Sequence, residues 1–223
     1  MINDHNIDPQ SSRIDQLRSR LEAMTLPAAV SVIKTLNEQD RVALVMNQNT
    51  NGELYHHLLI QTWLNSECLD EYEGILLEAL TLLEAKAFNI YDIEDADRQD
   101  ALDVVINALT DTYDQGPGFL GSNTFLHIAE RVSDLNRSLD YGFNGRIQAT
   151  PLIQVTLRGN FTLFKMLIEL GADLNFITAD GRDCRYYAES TLNSHPEFYL
   201  NYRADLLLAK HDVRTNSKIS RKL

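Results

Sequence analysis

The chain has 223 residues, 44% of them apolar and 23% charged, with 20 Lys and Arg against 32 Asp and Glu. That length supports one large or two small soluble domains, and a formal charge of −12 argues against nucleic acid as a partner, because phosphate binding needs clustered Lys and Arg. No apolar run approaches the ~20 residues that span a bilayer, and the polar start Met1-Ile2-Asn3-Asp4-His5-Asn6 predicts no secretory signal.

Helical periodicity dominates, and no segment alternates well enough to predict a strand. Ser12 stands before Ile14, Leu17, Leu21 and Met24, a cap followed by one apolar face, which predicts an amphipathic helix. Thr25 and Pro27 end it and open a second helix, with Ala28, Val32, Ile33 and Leu36 on one face. A third, short helix holds Val42, Leu44, Val45 and Met46, and residues 47–52, Asn-Gln-Asn-Thr-Asn-Gly, form a loop. Helical patterns resume over Leu54–Leu64, Tyr72–Ala85 and Ala101–Leu109. Gly116-Pro117-Gly118 is the strongest break and is read as a hinge or a loop between repeats.

Charge is placed unevenly. Residues 67–114 carry 14 acids against Lys86 and Arg98, which equals the whole net charge. The end is basic, with Lys210, Arg214, Lys218, Arg221 and Lys222 against Asp212. These blocks read either as an acidic middle facing a basic partner and a basic tail facing an acidic one, or as solvated faces and a disordered end. Two cysteines, Cys68 and Cys184, lie far apart, which excludes a disulfide scaffold and a cysteine zinc site and fits a reducing cytoplasm.

The chain repeats itself. Thr150-Pro151-Leu152-Ile153-Gln154-Val155 begins a unit that runs through Gly159-Asn160, then Gly171-Ala172-Asp173-Leu174-Asn175, to Asp180-Gly181, and the next unit starts 33 residues on at Asp183. Thr124-Phe125-Leu126-His127-Ile128-Ala129 has the same form at a shorter offset, and Asp100-Ala101-Leu102-Asp103-Val104-Val105 is a weaker copy. These residues resemble ankyrin repeats, whose 33-residue unit has a T-P-L-H-x-A helix start, a second helix ending in G-A-D-x-N, and a finger ending in D-G. The unit from Thr150 to Arg182 carries the resemblance; the earlier ones are degenerate. Local chemistry agrees with it. Thr150 can cap a helix whose first residue is Pro151, Gly171 can end the second helix in a left-handed conformation, and Leu152, Leu163, Leu167 and Leu174 need a neighbouring unit to bury them.

The resemblance implies an all-α ankyrin-repeat solenoid of paired helices with short finger loops. Residues 1–50 form a helical N-terminal cap or segment, 51–210 the stack, and 211–223 a basic, disordered tail. Phe198, Tyr199 and Leu206 to Leu208 would cover the last unit.

Catalytic signals are thin. Adjacent His56 and His57 point about 100° apart on a helix and lack the i, i+4 spacing of a metal pair. Cys68 has no nucleophile motif around it, and Cys184 stands where the family has its helix-start Pro. Asp92, Glu94, Asp95, Asp97 and Asp100 lack the glycine and spacing of a calcium loop. No glycine-rich phosphate loop or G-x-S-x-G elbow occurs. No metal and no cofactor are expected, and His127, at the family's T-P-L-H histidine, is expected to make a structural hydrogen bond.

Ankyrin stacks bind proteins across the concave face of fingers and first helices, and this chain places apolar residues in those fingers: Phe176 and Ile177, Tyr91 and Ile93, Phe119 and Leu120, Phe143 and Ile147. Exposed aromatics are expected interface anchors, although some could instead pack inward. The expectation is a non-enzymatic, cytoplasmic interaction module. Finger apolars anchor a protein partner with a basic surface, and Asp92, Glu94, Asp95 and Asp97 steer it. The solitary, irregular stack is also similar to ankyrin effectors that intracellular bacteria deliver into host cells. Alternatives are a stoichiometric inhibitor or regulator of one enzyme and, further off, an enzyme whose pocket joins His56, His57 or Cys68 to the acidic cluster.

Overall fold

The computed structural model describes residues 9–66, 69–86, 88–112, 121–141 and 147–205. Cys68, the Gly116–Gly118 break, Phe119, Leu120, Phe143, Leu206 to Leu208 and the tail 211–223 lie outside the described residues. Described contacts divide into two compact units, one of residues up to Asp111 together with 121–133, the other from Asp134 onward. The described chain is helical apart from one short β-ribbon, and among the described residues no helix is long and apolar enough to cross a membrane.

The first unit contains α1 (Pro9–Glu22), α2 (Leu26–Ile33), α3 (Glu38–Met46), α4 (Tyr55–Leu64), α5 (Leu69–Leu83), α6 (Ala101–Thr112) and α7 (Ser122–Ala129). Helix α5 is its centre: α2, α3, α4 and α7 all pack against it, and α1 lies on α2 and α3. Ile33, Leu44, Ile60, Trp63, Leu76, Leu80 and Phe125 are fully buried there.

Three local expectations are corrected. The chain is already helical at Pro9, so Ser12 lies within α1 rather than ahead of it. The buried face of α2 is Leu26, Ala29, Val30 and Ile33, with Ala28 exposed. An almost wholly apolar segment has no polar stripe to set its phase, so the neighbour α5 sets it. Thr124 is inside the first turn of α7, behind Gly121. Its N–H and hydroxyl both donate to Glu73 Oε1, at 2.9 and 3.2 Å, so a carboxylate from α5 satisfies that helix start. Gly121 has φ +90°, and a Cβ there would lie 2.9 Å from Trp63 and 2.8 Å from Leu109, so α7 begins where only glycine fits.

The second unit opens with an antiparallel ribbon, β1 (Leu139–Tyr141) and β2 (Ile147–Ala149), in register Leu139↔Ala149 and Tyr141↔Ile147. Helices α8 (Pro151–Leu157), α9 (Phe161–Glu169) and α10 (Cys184–Ser190) follow, and residues 196–205 are helical. Thr150 Oγ1 accepts the Ile153 N–H at 3.3 Å, with Pro151 as the first helical residue. Asn160 caps α9 through the Leu163 N–H at 3.0 Å, and Gly171 closes it at φ +97°. Leu152, Leu163 and Leu167 are buried, while Leu174 is half-buried. Asp183 caps α10 by accepting the Tyr186 N–H at 3.0 Å, which makes Cys184 its first residue. Phe198 packs edge-on to Phe164 at 5.5 Å between ring centroids, and with Phe161 and Tyr202 this aromatic cluster joins the helix at residues 196–205 to α9.

Candidate functional site

Three turns share one design. In each, the first residue's N–H donates to the carbonyl of the fifth, and the fourth residue's N–H donates back to the first. Asn49 and Glu53 are joined at 2.9 Å, Asp95 and Gln99 at 2.9 Å, and Thr178 and Arg182 at 2.9 Å. The fourth residues, Gly52, Arg98 and Gly181, have φ of +82°, +62° and +78°. The first residue's side-chain oxygen accepts the fifth residue's N–H in every case: Asn49 Oδ1 at 3.0 Å, Asp95 Oδ1 at 3.0 Å and Thr178 Oγ1 at 3.3 Å. A helix begins two residues after each turn, at Tyr55, Ala101 and Cys184. Within the first unit two of these fingers lie side by side, the Ala96 N–H donating to the Gly52 carbonyl at 3.0 Å.

This design consumes much of the acidic cluster. Asp95 closes its own turn and accepts from His57 Nδ1 at 3.3 Å. Burial alone would raise its carboxyl, but hydrogen bonds from the His57 ring and the Gln99 and Asp97 N–H groups hold it below the usual carboxylate range. Asp92 accepts from Asn89 Nδ2 at 3.0 Å and from the Ser133 N–H at 2.9 Å. Asp100 and Asp103 are fully buried and cap α6 reciprocally: Asp100 Oδ1 takes the Asp103 N–H at 2.9 Å, and Asp103 Oδ2 takes the Asp100 N–H at 3.2 Å. Asp92 and Asp95 are therefore structural, and the exposed carboxylates of this stretch are Glu94 and Asp97.

The apolar finger residues separate in the same way. Tyr91 is 1% exposed, which corrects its reading as an exposed anchor. Its hydroxyl donates to Glu84 at 2.8 Å and lies 2.9 Å from His127 Nε2. With the phenol O–H donating to Glu84, the His127 ring nitrogen donates to the phenol oxygen, a structural bond made in the last turn of α7 and not near the helix start where it was expected. Burial, then Arg131, lowers the affinity of His127 for a proton. Ile93 and Phe176 are half-buried, and Ile147 opens β2 opposite Tyr141. Ile177 is 66% exposed.

The same unit that carries Ile177 has exposed side chains that the sequence reading passed over. Tyr186, on the first turn of α10, is 46% exposed, and the Arg182 guanidinium sits 4.4 Å from its ring centroid. Arg182 also reaches Asp180 at 3.3 Å, whose carboxyl is lowered first by the Thr178 hydroxyl and further by Arg182. Arg185 donates to Asn175 Oδ1 at 3.3 Å. The available signal was the Arg182–Tyr186 spacing of four from finger into helix, which brings the two together once the turn ends at Arg182.

His56 and His57 are sealed at 0% exposure, their rings edge-on at 4.4 Å. Burial, then the charges of His57 and Arg18, hold His56 well below its usual range, against a smaller opposing effect of the Ile90 backbone. Two clefts in the first unit, of about 220 and 400 Å3, are lined by neither histidine and by none of Asp92, Glu94, Asp95 and Asp97. Among the described residues no three His, Cys, Asp or Glu side chains group so as to hold a metal ion. No protein-family model matches the chain, and no curated protein matches it.

Proposed function

We propose that the chain is a non-enzymatic, ankyrin-type module that binds a partner protein through finger and first-helix side chains of its second unit, with Ile177 and Tyr186 as anchors. The observation that carries this reading is the exposure of Ile177 and Tyr186 together, 66% and 46%, with Arg182 stacked on the tyrosine. Tyr and Arg are the residue types that dominate interface hot spots, and an exposed isoleucine of the same unit gains from desolvation. The repeated finger turns and the Thr150 to Gly171 helix pair support the ankyrin type. Glu94 and Asp97 supply the negative field that would draw a basic partner.

The test is a quantitative pull-down comparing the intact chain with Ile177→Asp and Tyr186→Ala, each first shown to melt as the intact chain does. Ile177 is the better target than half-buried Phe176, whose loss would mix unfolding with lost binding. Each substitution is expected to cost about 2 kcal/mol or more of binding free energy and to abolish recovery of the partner. Equal recovery by all three proteins refutes the assignment of this surface.

A further inference from the structure

Against the Asp95 finger stands a sealed pair of bases. His56 and His57, on α4, are fully buried with their rings 4.4 Å apart. Asp95 faces His57 Nδ1 at 3.3 Å. Neither His56 nitrogen, nor His57 Nε2, forms a hydrogen bond of ordinary geometry among the described residues. The charged groups that act on His56 are His57 on the same helix and Arg18 on α1, and both oppose a proton there; the Ile90 backbone favours one more weakly. Arg18 is itself fixed by the Glu22 carboxylate and the Asn47 and Glu53 carbonyls. One proton on the pair is therefore balanced by Asp95. A second would stand beside the first, with Arg18 opposing it as well.

The finger is the weaker wall of this enclosure. Its residues Ala96, Asp97 and Arg98 are exposed. The Asp95–His57 bond joins it to α4, and the Ala96 N–H bond to the Gly52 carbonyl, at 3.0 Å, joins it to the neighbouring finger. Helix α4 is held by buried Leu59, Ile60 and Trp63 and by α5 packed along it. An exposed turn with few buried apolar contacts opens at a smaller free-energy cost than a packed helix. Lifting the finger is thus the least costly way for water to reach the rings and for the pair to take up a proton that it rejects when sealed.

We propose that the His56–His57 pair is an acid-sensitive latch, which holds the Asp95 finger on α4 at neutral pH and releases it when the pair takes up a second proton. With the finger lifted, His56 meets water and takes its proton near the ordinary histidine value of 6.5. The open state then binds more protons than the closed one, so it gains population as the pH falls through that value. For one extra proton the gain is about tenfold between about pH 7.5 and about pH 5.5. Exposed Asp97 rides on this finger, so acidification moves its carboxylate away from the Asn49 finger. The latch is built wholly from first-unit residues and does not rest on the reading of Ile177 and Tyr186.

The experiment follows backbone amide exchange of the full chain by NMR at those two pH values, each rate divided into the unstructured rate at the same pH. The Ala96, Arg98 and Gln99 amides, bonded to Gly52 and Asp95, are expected to lose protection about tenfold at the lower pH. The Leu58 amide of α4, bonded to the Leu54 carbonyl, is expected to keep its protection. In His56→Leu, first shown to melt cooperatively, one base and its counter-charge remain, and finger protection is expected to be independent of pH. Asp95→Asn keeps the side-chain oxygen that accepts the Asp97 and Gln99 N–H groups at 2.9 and 3.0 Å, and its amide can donate to His57 Nδ1. It removes the counter-charge, so its finger is expected to lose protection more steeply than the intact chain's. Unchanged finger protection in the intact chain, an equal loss at Leu58, the full tenfold loss in His56→Leu, or no steepening in Asp95→Asn overturns the proposal. Should His56→Leu fail to fold, the intact chain and Asp95→Asn still decide it.

Discussion

Replacing Gly52 with alanine tests the side-by-side fingers. Gly52 has φ +82°, and a Cβ added there would lie 2.2 Å from the Ala96 Cβ. Two costs follow. A side chain in the left-handed region costs roughly 1–2 kcal/mol. The overlap forces the turns apart and loses the Ala96 N–H bond to the Gly52 carbonyl, now 3.0 Å, with a net cost of about 0.5–1.5 kcal/mol. Together they come to about 2.5 kcal/mol, or about 5–10 °C in melting temperature for a chain of this size. Equilibrium urea unfolding followed by the fluorescence of Trp63, the single tryptophan, reads the first unit directly. Adding Ala96→Gly to Gly52→Ala removes the overlap but leaves the backbone strain, so the double-mutant cycle is expected to return about 1 kcal/mol of coupling. A single-mutant cost below about 1 kcal/mol, or no coupling, refutes the packing of these two fingers.

Two further outcomes follow from burial. His56 is neutral when folded but takes a proton near its usual value of 6.5 once unfolded. The unfolded state therefore binds more protons below that pH, and stability falls as the pH drops through it, by up to ~1.4 kcal/mol per unit. Urea titrations at a series of pH values are expected to show a shallower decline in His56→Leu than in the intact chain, and identical slopes would refute it. Cys184 is buried, and its thiol is pushed up to about 11 by that burial and by Asp183, against the Thr156 hydrogen bond. Iodoacetamide with peptide mapping is expected to label Cys184 only after denaturant is added, and rapid labelling of the native chain would contradict its burial.

Where sequence and structure agree, the cause is local. The Thr150-Pro151 start, the glycine ending α9 and the Asp183 cap each depend on a hydrogen bond or a backbone angle set within a few residues, so residue type alone announces them. The same holds for the loop at residues 47–52, whose Asn and Gly make the Asn49 turn. Arg98 shows the limit: it holds the left-handed position that glycine holds in the sister turns, and nothing in its residue type advertises that, so the Asp95 finger is visible only in three dimensions.

By itself the sequence determined a mainly helical chain and the positions of most helix starts, because caps, glycines and apolar periodicity are short-range chemistry. Tertiary structure decided which of the charged and aromatic residues remain available. Asp92, Asp95, Asp100 and Asp103 look alike on paper to Asp97, yet the first four are taken up by caps, turns and bonds to residues distant in the sequence, while Asp97 is exposed. Tyr91 disappears against Glu84 and His127, while Tyr186 stays outside beneath Arg182. A side chain's availability depends on partners distant in the chain, here Ser133 for Asp92 and His57 for Asp95, and such separations carry no periodic signal along the sequence.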